Sequence, residues 1–148
     1  MDAYRQTALH VAASKGHATI VSALLQNEAK ADMCDTDGNN PLHIACKEGH
    51  LAVVRVLLIE SSLDADMINL KGHNPLHVLA KYGKENAAAI CNLLIETIPD
   101  FPIDRPDLDG NTGKGHQLAK SSLRVFTSLK HRNNISIYYS FIIGLYER

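Results

Sequence analysis

The sequence predicts an all-α fold, a solenoid of about three helix-turn-helix units joined by β-turn loops, with an irregular C-terminal tail. Two observations carry this expectation. Thr7-Ala8-Leu9-His10-Val11-Ala12 returns as Asn40-Pro41-Leu42-His43-Ile44-Ala45 and again as Asn74-Pro75-Leu76-His77-Val78-Leu79, at steps of 33 and 34 residues. Gly16, Gly49 and Gly83 keep the same steps, and leucine pairs follow at Leu24-Leu25, Leu57-Leu58 and Leu93-Leu94. A fixed period in this range marks a repeat array whose units cannot bury their apolar faces alone.

Each recurring position has a physical reason. Thr7, Asn40 and Asn74 stand where a helix N-cap belongs, and their side-chain oxygens can take an orphan N–H. Pro41 and Pro75 occupy the first helical position, where a missing N–H costs nothing; the first unit has Ala8 there. The first helix is short and ends at Gly16, Gly49 or Gly83, suited to the left-handed conformation that closes a helix. The second helix carries an apolar stripe: Ile20, Val21, Leu24 and Leu25, then Val53, Val54, Leu57 and Leu58, then Ala89, Ile90, Leu93 and Leu94. That spacing keeps one helical face apolar. Turns between units fall at Asp37-Gly38-Asn39, Lys71-Gly72-His73 and Asp109-Gly110-Asn111.

The motif T-P-L-H-x-A at this period resembles the ankyrin-repeat family. The resemblance implies that His10, His43 and His77 brace turns through hydrogen bonds. A metal reading fails on geometry, because equivalent positions of stacked units form a ladder about 10 Å apart rather than converging on one ion. It also implies protein binding along a concave side, through turn tips and the exposed face of the first helices. By alignment these positions are Ala3, Tyr4, Gln6, Ser14 and Lys15, then Thr36, Asp37, Asn39, Lys47 and Glu48, then Leu70, Lys71, His73, Lys81 and Tyr82. Tyr4 and Tyr82 are the expected anchors, since tyrosine is enriched among residues that dominate binding energy.

Other classes find little support. No serine–histidine–acid, paired-carboxylate or phosphate-loop pattern is present, so no catalytic residue, cofactor or metal is expected; Gly110–Gly115 lacks the phosphate-loop spacing and reads as a linker. Formal net charge is −1, which gives no global basic balance for nucleic acid, and no run of 18 apolar residues exists to span a membrane. Three cysteines, Cys34, Cys46 and Cys91, form no C-x-x-C pair and read as small hydrophobes of a reducing compartment.

The units are expected at about 4–38, 39–72 and 73–110 within an array spanning 1–112. The chain opens at a unit boundary, with Arg5 where glycine is usual, which suggests a piece of a longer array. Arg5 and Ala8 make the first unit a predicted weak point. The third unit carries extra residues in Lys81–Ile90 and a following linker with Pro99, Pro102 and Pro106. A fourth unit begins at Asp107 and stops at Thr112. Residues 1–112 hold nine Lys/Arg against fifteen Asp/Glu, whereas 113–148 hold six against one. Three readings of this tail stay open: a weakly helical cap, a basic and apolar membrane-surface element, or poorly ordered translated intron, because Gly113-Lys114 can be encoded by a splice-donor-like sequence. Membrane contact through it is not expected.

Residues Tyr4–His10, Lys81–Ile90 and Pro102–Thr112 resemble, more narrowly, the last repeats of the rabankyrin family, which joins a BTB domain, ankyrin repeats and a FYVE finger. The resemblance covers about residues 4–112. It implies a scaffold of an early-endosomal adaptor in endocytosis and vesicle traffic, cytoplasmic and peripheral on early endosomes, with a GTP-loaded early-endosomal Rab GTPase as candidate partner. The FYVE zinc ligands and basic patch are absent, so phosphoinositide binding does not carry over. The alternative is an ankyrin module with an unrelated signalling or cytoskeletal partner.

Overall fold

The computed structural model describes residues 1–84 and 86–98. The linker prolines, the start of a fourth unit, the Gly110–Gly115 linker and the 113–148 tail all lie outside the described residues. Within them the chain forms six helices: α1 (Ala8–Lys15), α2 (Ala18–Gln26), α3 (Pro41–Glu48), α4 (Leu51–Glu60), α5 (Pro75–Tyr82) and α6 (Ala87–Thr97). No strand occurs among the described residues. The helices pair as α1 with α2, α3 with α4 and α5 with α6. The pairs then stack in order, α1 on α3 on α5 and α2 on α4 on α6.

The helices are too short to be stable alone, because nucleation costs more than a few turns of hydrogen bonds return. Their ends are therefore fixed by side chains. Thr7 Oγ1 accepts from the His10 N–H, Asn40 Oδ1 from the His43 N–H at 3.0 Å and Asn74 Oδ1 from the His77 N–H at 2.9 Å. In return, Nδ1 of His10, His43 and His77 accepts the backbone N–H of its own cap residue, at 3.2, 3.3 and 3.2 Å. An Nδ1 that accepts leaves the ring proton on Nε2. Nε2–H of His10 then donates to the Asn39 carbonyl at 3.0 Å, and that of His43 to the His73 carbonyl at 2.9 Å. Each of these two histidines thus caps its own helix and grips the residue just before the next cap, as the bracing role requires.

The core runs through the stack. Leu9, Leu42, Val53, Val54, Leu57, Leu79, Ile90 and Leu94 are all essentially inaccessible. The expected apolar stripes are covered unequally. In α4, which lies between α2 and α6, Val53, Val54 and Leu57 are buried. In α2 only Val21 is buried; Leu24 and Leu25 are half-buried and Ile20 is 50% exposed. The cause is position, since α2 has a stacked outer-helix neighbour, α4, on one side alone among the described residues. In α6 Ala89 is exposed, and Cys91 fills the core in its place beside Ile90 and Leu94.

Two further expectations need correction. Gly16 and Gly49 close their helices at φ 75° and 81°, but Gly83 has φ −56° and is not left-handed. The residues inserted after it let the chain leave α5 extended and reverse later, at Asn86, where φ is 57°. Glycine at 83 answers a close approach instead: a Cβ there would lie 2.3 Å from the Leu79 carbonyl oxygen. Among the cysteines, Cys46 and Cys91 are buried, and burial pushes the Cys91 thiol up to about 12. Cys34 is only half-buried, with its thiol pushed up by partial burial and by Asp35 and Asp32.

Burial pushes the His43 ring down from 6.5 to about 4, against the opposing pull of the His73 carbonyl and Asp35. Between those values the unfolded chain binds the proton that the native ring refuses, so stability falls with falling pH. The contribution is complete above the unfolded value and shrinks by about 1 kcal/mol per pH unit below it. The His43 ring nitrogens are expected to keep the NMR signature of a neutral imidazole at about pH 5, with a lower urea midpoint than at about pH 7. An imidazolium spectrum at that pH would contradict the buried brace. Leu57→Ala, at a 0% exposed site in the middle unit, is expected to cost about 2–5 kcal/mol in denaturant unfolding. A loss below about 1 kcal/mol would mean that the units do not stack through this residue.

Candidate protein-binding surface

The turn tips repeat one construction. In the first, Asp2 Oδ1 accepts the N–H groups of Tyr4 and Gln6 at 2.9 and 2.8 Å. In the second, Asp35 Oδ1 accepts those of Asp37 and Asn39, both at 2.9 Å. In the third, Asn69 Oδ1 accepts those of Lys71 and His73, both at 3.0 Å. The backbone closes each loop further: Arg5, Gly38 and Gly72 donate to the carbonyls of Asp2, Asp35 and Asn69. This is the turn that favours Asp or Asn first and glycine fourth. The fourth residue is left-handed in all three tips, at φ 58° for Arg5, 79° for Gly38 and 74° for Gly72. The spacing of Asp2, Asp35 and Asn69 follows the period of the repeats.

Adjacent tips are stitched edge to edge. The Thr36 N–H donates to the Tyr4 carbonyl and the Leu70 N–H to the Asp37 carbonyl, both at 3.0 Å. Asn69 Nδ2 donates to Asn39 Oδ1 at 2.9 Å. At Gly38 a Cβ would lie 2.7 Å from the Leu70 nitrogen, so this tip needs glycine for closeness as well as handedness. The stitched tips leave Tyr4 67% and Leu70 70% exposed, with Ala3, Thr36, Asp37 and Lys71 also at the surface.

The inner helices supply the rest. Ser14, Lys47 and Lys81 hold one equivalent position of α1, α3 and α5, and Lys15, Glu48 and Tyr82 the next. Lys15, Lys47, Lys81 and Tyr82 are exposed, and the Lys81 ammonium lies 5.5 Å from the centre of the Tyr82 ring. Glu48 is half-buried and paired with Lys84.

One expected contact residue does not belong to this surface. His73 is 0% exposed, with its ring 6.2 Å from that of His77 and its carbonyl held by His43. The equivalent Gln6 and Asn39 are half-buried, and Asn39 is tied to Asn69. At this tip position Asn39 reaches the next unit and the His73 ring lies against His77 of its own unit, so neither faces outward. Two residues that sequence reasoning passed over act beside the inner helices. His50 Nε2 donates to the Ser14 carbonyl at 3.0 Å, and Asn86 Nδ2 to the Gly49 carbonyl at 3.2 Å. Each ties the loop inside one unit to the end of the previous unit's first helix.

Arg5 keeps the tip closed at a backbone conformation that costs a residue with a side chain roughly 1 kcal/mol. Arg5→Gly is therefore expected to raise unfolding stability by about 0.5–1 kcal/mol. A loss of stability would show that the Arg5 side chain contributes more than its backbone strain costs.

Residues 1–69 match the family described as ankyrin repeats (3 copies). Rabankyrin-5 of Mus musculus is 50% identical over 68 residues, which is 46% of this chain and 6% of that protein. Rabankyrin-5 of Homo sapiens is 51% identical over 64 residues, 43% of this chain and 6% of the relative. NF-kappa-B inhibitor alpha of Sus scrofa is 43% identical over 53 residues, 36% of this chain and 17% of the relative. The chain thus spans a small fraction of the curated relatives it matches. Residues 1–69 are thus ankyrin repeats, a class of protein-interaction module, and the same motif register and helix stacking continue through α6.

Proposed function

We propose that this stack is a protein-binding segment of an early-endosomal adaptor, acting in endocytosis and vesicle traffic as a scaffold rather than as an enzyme. The observation that carries the binding role is the exposure of Tyr4, Leu70 and Tyr82 on turn tips and inner helices whose backbones are held by hydrogen bonds. Large apolar and aromatic groups on a preorganised frame are what protein partners use as anchors. Around them lie Thr36, Asp37, Lys15, Lys47, Glu48, Lys71 and Lys81, with Gln6 and Asn39 at the margin. The endosomal part rests on the likeness to rabankyrin-5, whose name points to a Rab protein. The candidate partner is accordingly an early-endosomal Rab GTPase in its GTP-bound form.

A second reading has its own support. The likeness to NF-kappa-B inhibitor alpha, named for its action on NF-kappa-B, fits an ankyrin module with an unrelated signalling partner. No described helix is long and apolar enough to cross a membrane.

Pull-down of the full chain with the early-endosomal Rab separates the two readings. The adaptor reading expects capture that prefers GTP over GDP. It also expects Tyr82→Ala to weaken capture about tenfold, the effect of losing one anchor of about 1.4 kcal/mol, with the melting temperature unchanged. Absence of capture in both nucleotide states by folded chain would favour the unrelated partner. A matching loss of melting temperature would mark Tyr82 as a packing residue.

A further inference from the structure

The repeats carry a net negative charge, which by itself would suggest a basic partner. The arrangement of the charges reverses that conclusion on the side where the anchors stand. Asp35 is buried in its own turn, accepting two of its N–H groups, and Glu48 is half-buried and paired with Lys84. Asp2 and Asp37 are the exposed acids of the described tips and inner helices. Against them stand Arg5, Lys15, Lys47, Lys71 and Lys81, all exposed. Lys15, Lys47 and Lys81 lie in the last turns of α1, α3 and α5. These helices pack side by side; Lys47 and Lys81 hold equivalent positions of adjacent helices, near the interhelical distance of about 10 Å, and Lys15 follows one residue later on α1, at the position of Glu48 and Tyr82. Further negative charge is gathered at the ends of α2 and α4 and in the loops that follow them. There Glu28, Asp32, Glu60 and Asp64 are exposed, with Lys30 as the nearby cation.

We infer that the tip and inner-helix surface takes a short acidic segment of a partner protein, one carrying an apolar or aromatic side chain between its carboxylates. The inference rests on the protein-binding reading above and names the chemistry of the partner. Carboxylates would meet these lysines, while an exposed anchor among Tyr4, Leu70 and Tyr82 would take the apolar group. Close charge pairs of this kind set specificity and encounter rate. The Lys81 ammonium over the Tyr82 ring joins the two chemistries at one point. A nucleic acid is the less fitting polyanion. Its charge extends well past a Debye length of about 8 Å, so it would also meet the acids at and after the ends of α2 and α4, in a stack that is negative as a whole. A short acidic segment needs only the local field.

The test uses the full chain with three probes followed by fluorescence anisotropy: a 12-residue peptide of alternating Glu and Leu, its counterpart with Lys for Glu, and a 12-nucleotide single-stranded DNA. The acidic peptide is expected to bind best, and to weaken about tenfold between roughly 50 and 300 mM salt. The double substitution K15E/K47E is expected to weaken it about tenfold at an unchanged melting temperature, with K15Q/K47Q intermediate. The glutamine pair keeps the test usable if the glutamate pair unfolds. Equal or tighter binding of the lysine peptide would overturn the inference. So would tightest binding of the DNA, or acidic-peptide binding that ignores both double substitutions. Capture of a protein partner that depends on Tyr82 but not on Lys15 and Lys47 would defeat this inference and leave the protein-binding reading standing.

Discussion

The neutral imidazole of His43 is the joint on which the middle of the stack depends. Its Nδ1 takes the cap N–H of Asn40, and its Nε2–H fills the carbonyl of His73. One side chain therefore sets where α3 begins and where the chain stands just before α5. His10 does the same between the first and second units. A buried donor or acceptor left open costs about 1–3 kcal/mol, so the ring must be neutral and correctly turned for the stack to close. The same requirement explains why burial holds its pKa low.

Around this chain of bonds, helix stacking and the stitches between tips hold consecutive units together. Helices of 8 to 11 residues gain their stability from stacking. The middle unit, covered on both sides, has the driest core, and the first unit retains exposed apolar surface at Val11 and Ile20. His50 and Asn86 add ties between consecutive units at the far ends of the inner helices. The exposed Lys15, Lys47, Lys81 and Tyr82 in the last turns of the inner helices take no part in the buried core. They are free to carry the charge and aromatic surface on which the proposed function rests.

The positions that do identical work in every unit could be read from the sequence. Asn40 and Asn74 as caps, Pro41 and Pro75 at the first helical position, and His10 and His43 as braces follow from short-range chemistry that the period displays directly. What escaped was set by neighbours. Ile20 and Val53 are equivalent in sequence, yet one is exposed and the other buried because only the second has helices on both sides. Gly83 is a glycine in register, but the insertion after it moves the left-handed residue to Asn86. In the surface, Tyr4, Leu70 and Tyr82 stand exposed as expected, whereas His73 is interior. At that position Gln6, Asn39 and His73 differ in size and in what their side chains meet, and alignment alone does not register either.

The tips have a consequence for how such a protein changes over generations. Their shape is set by one oxygen at Asp2, Asp35 or Asn69 and by the left-handed fourth residue. The two residues between, such as Thr36 and Asp37, give only their backbones to the loop and to the stitch with the next tip. Their side chains are spectators of folding, so substitutions there are nearly invisible to stability. A lineage can thus rewrite partner preference at the tips while the frame beneath is inherited unaltered.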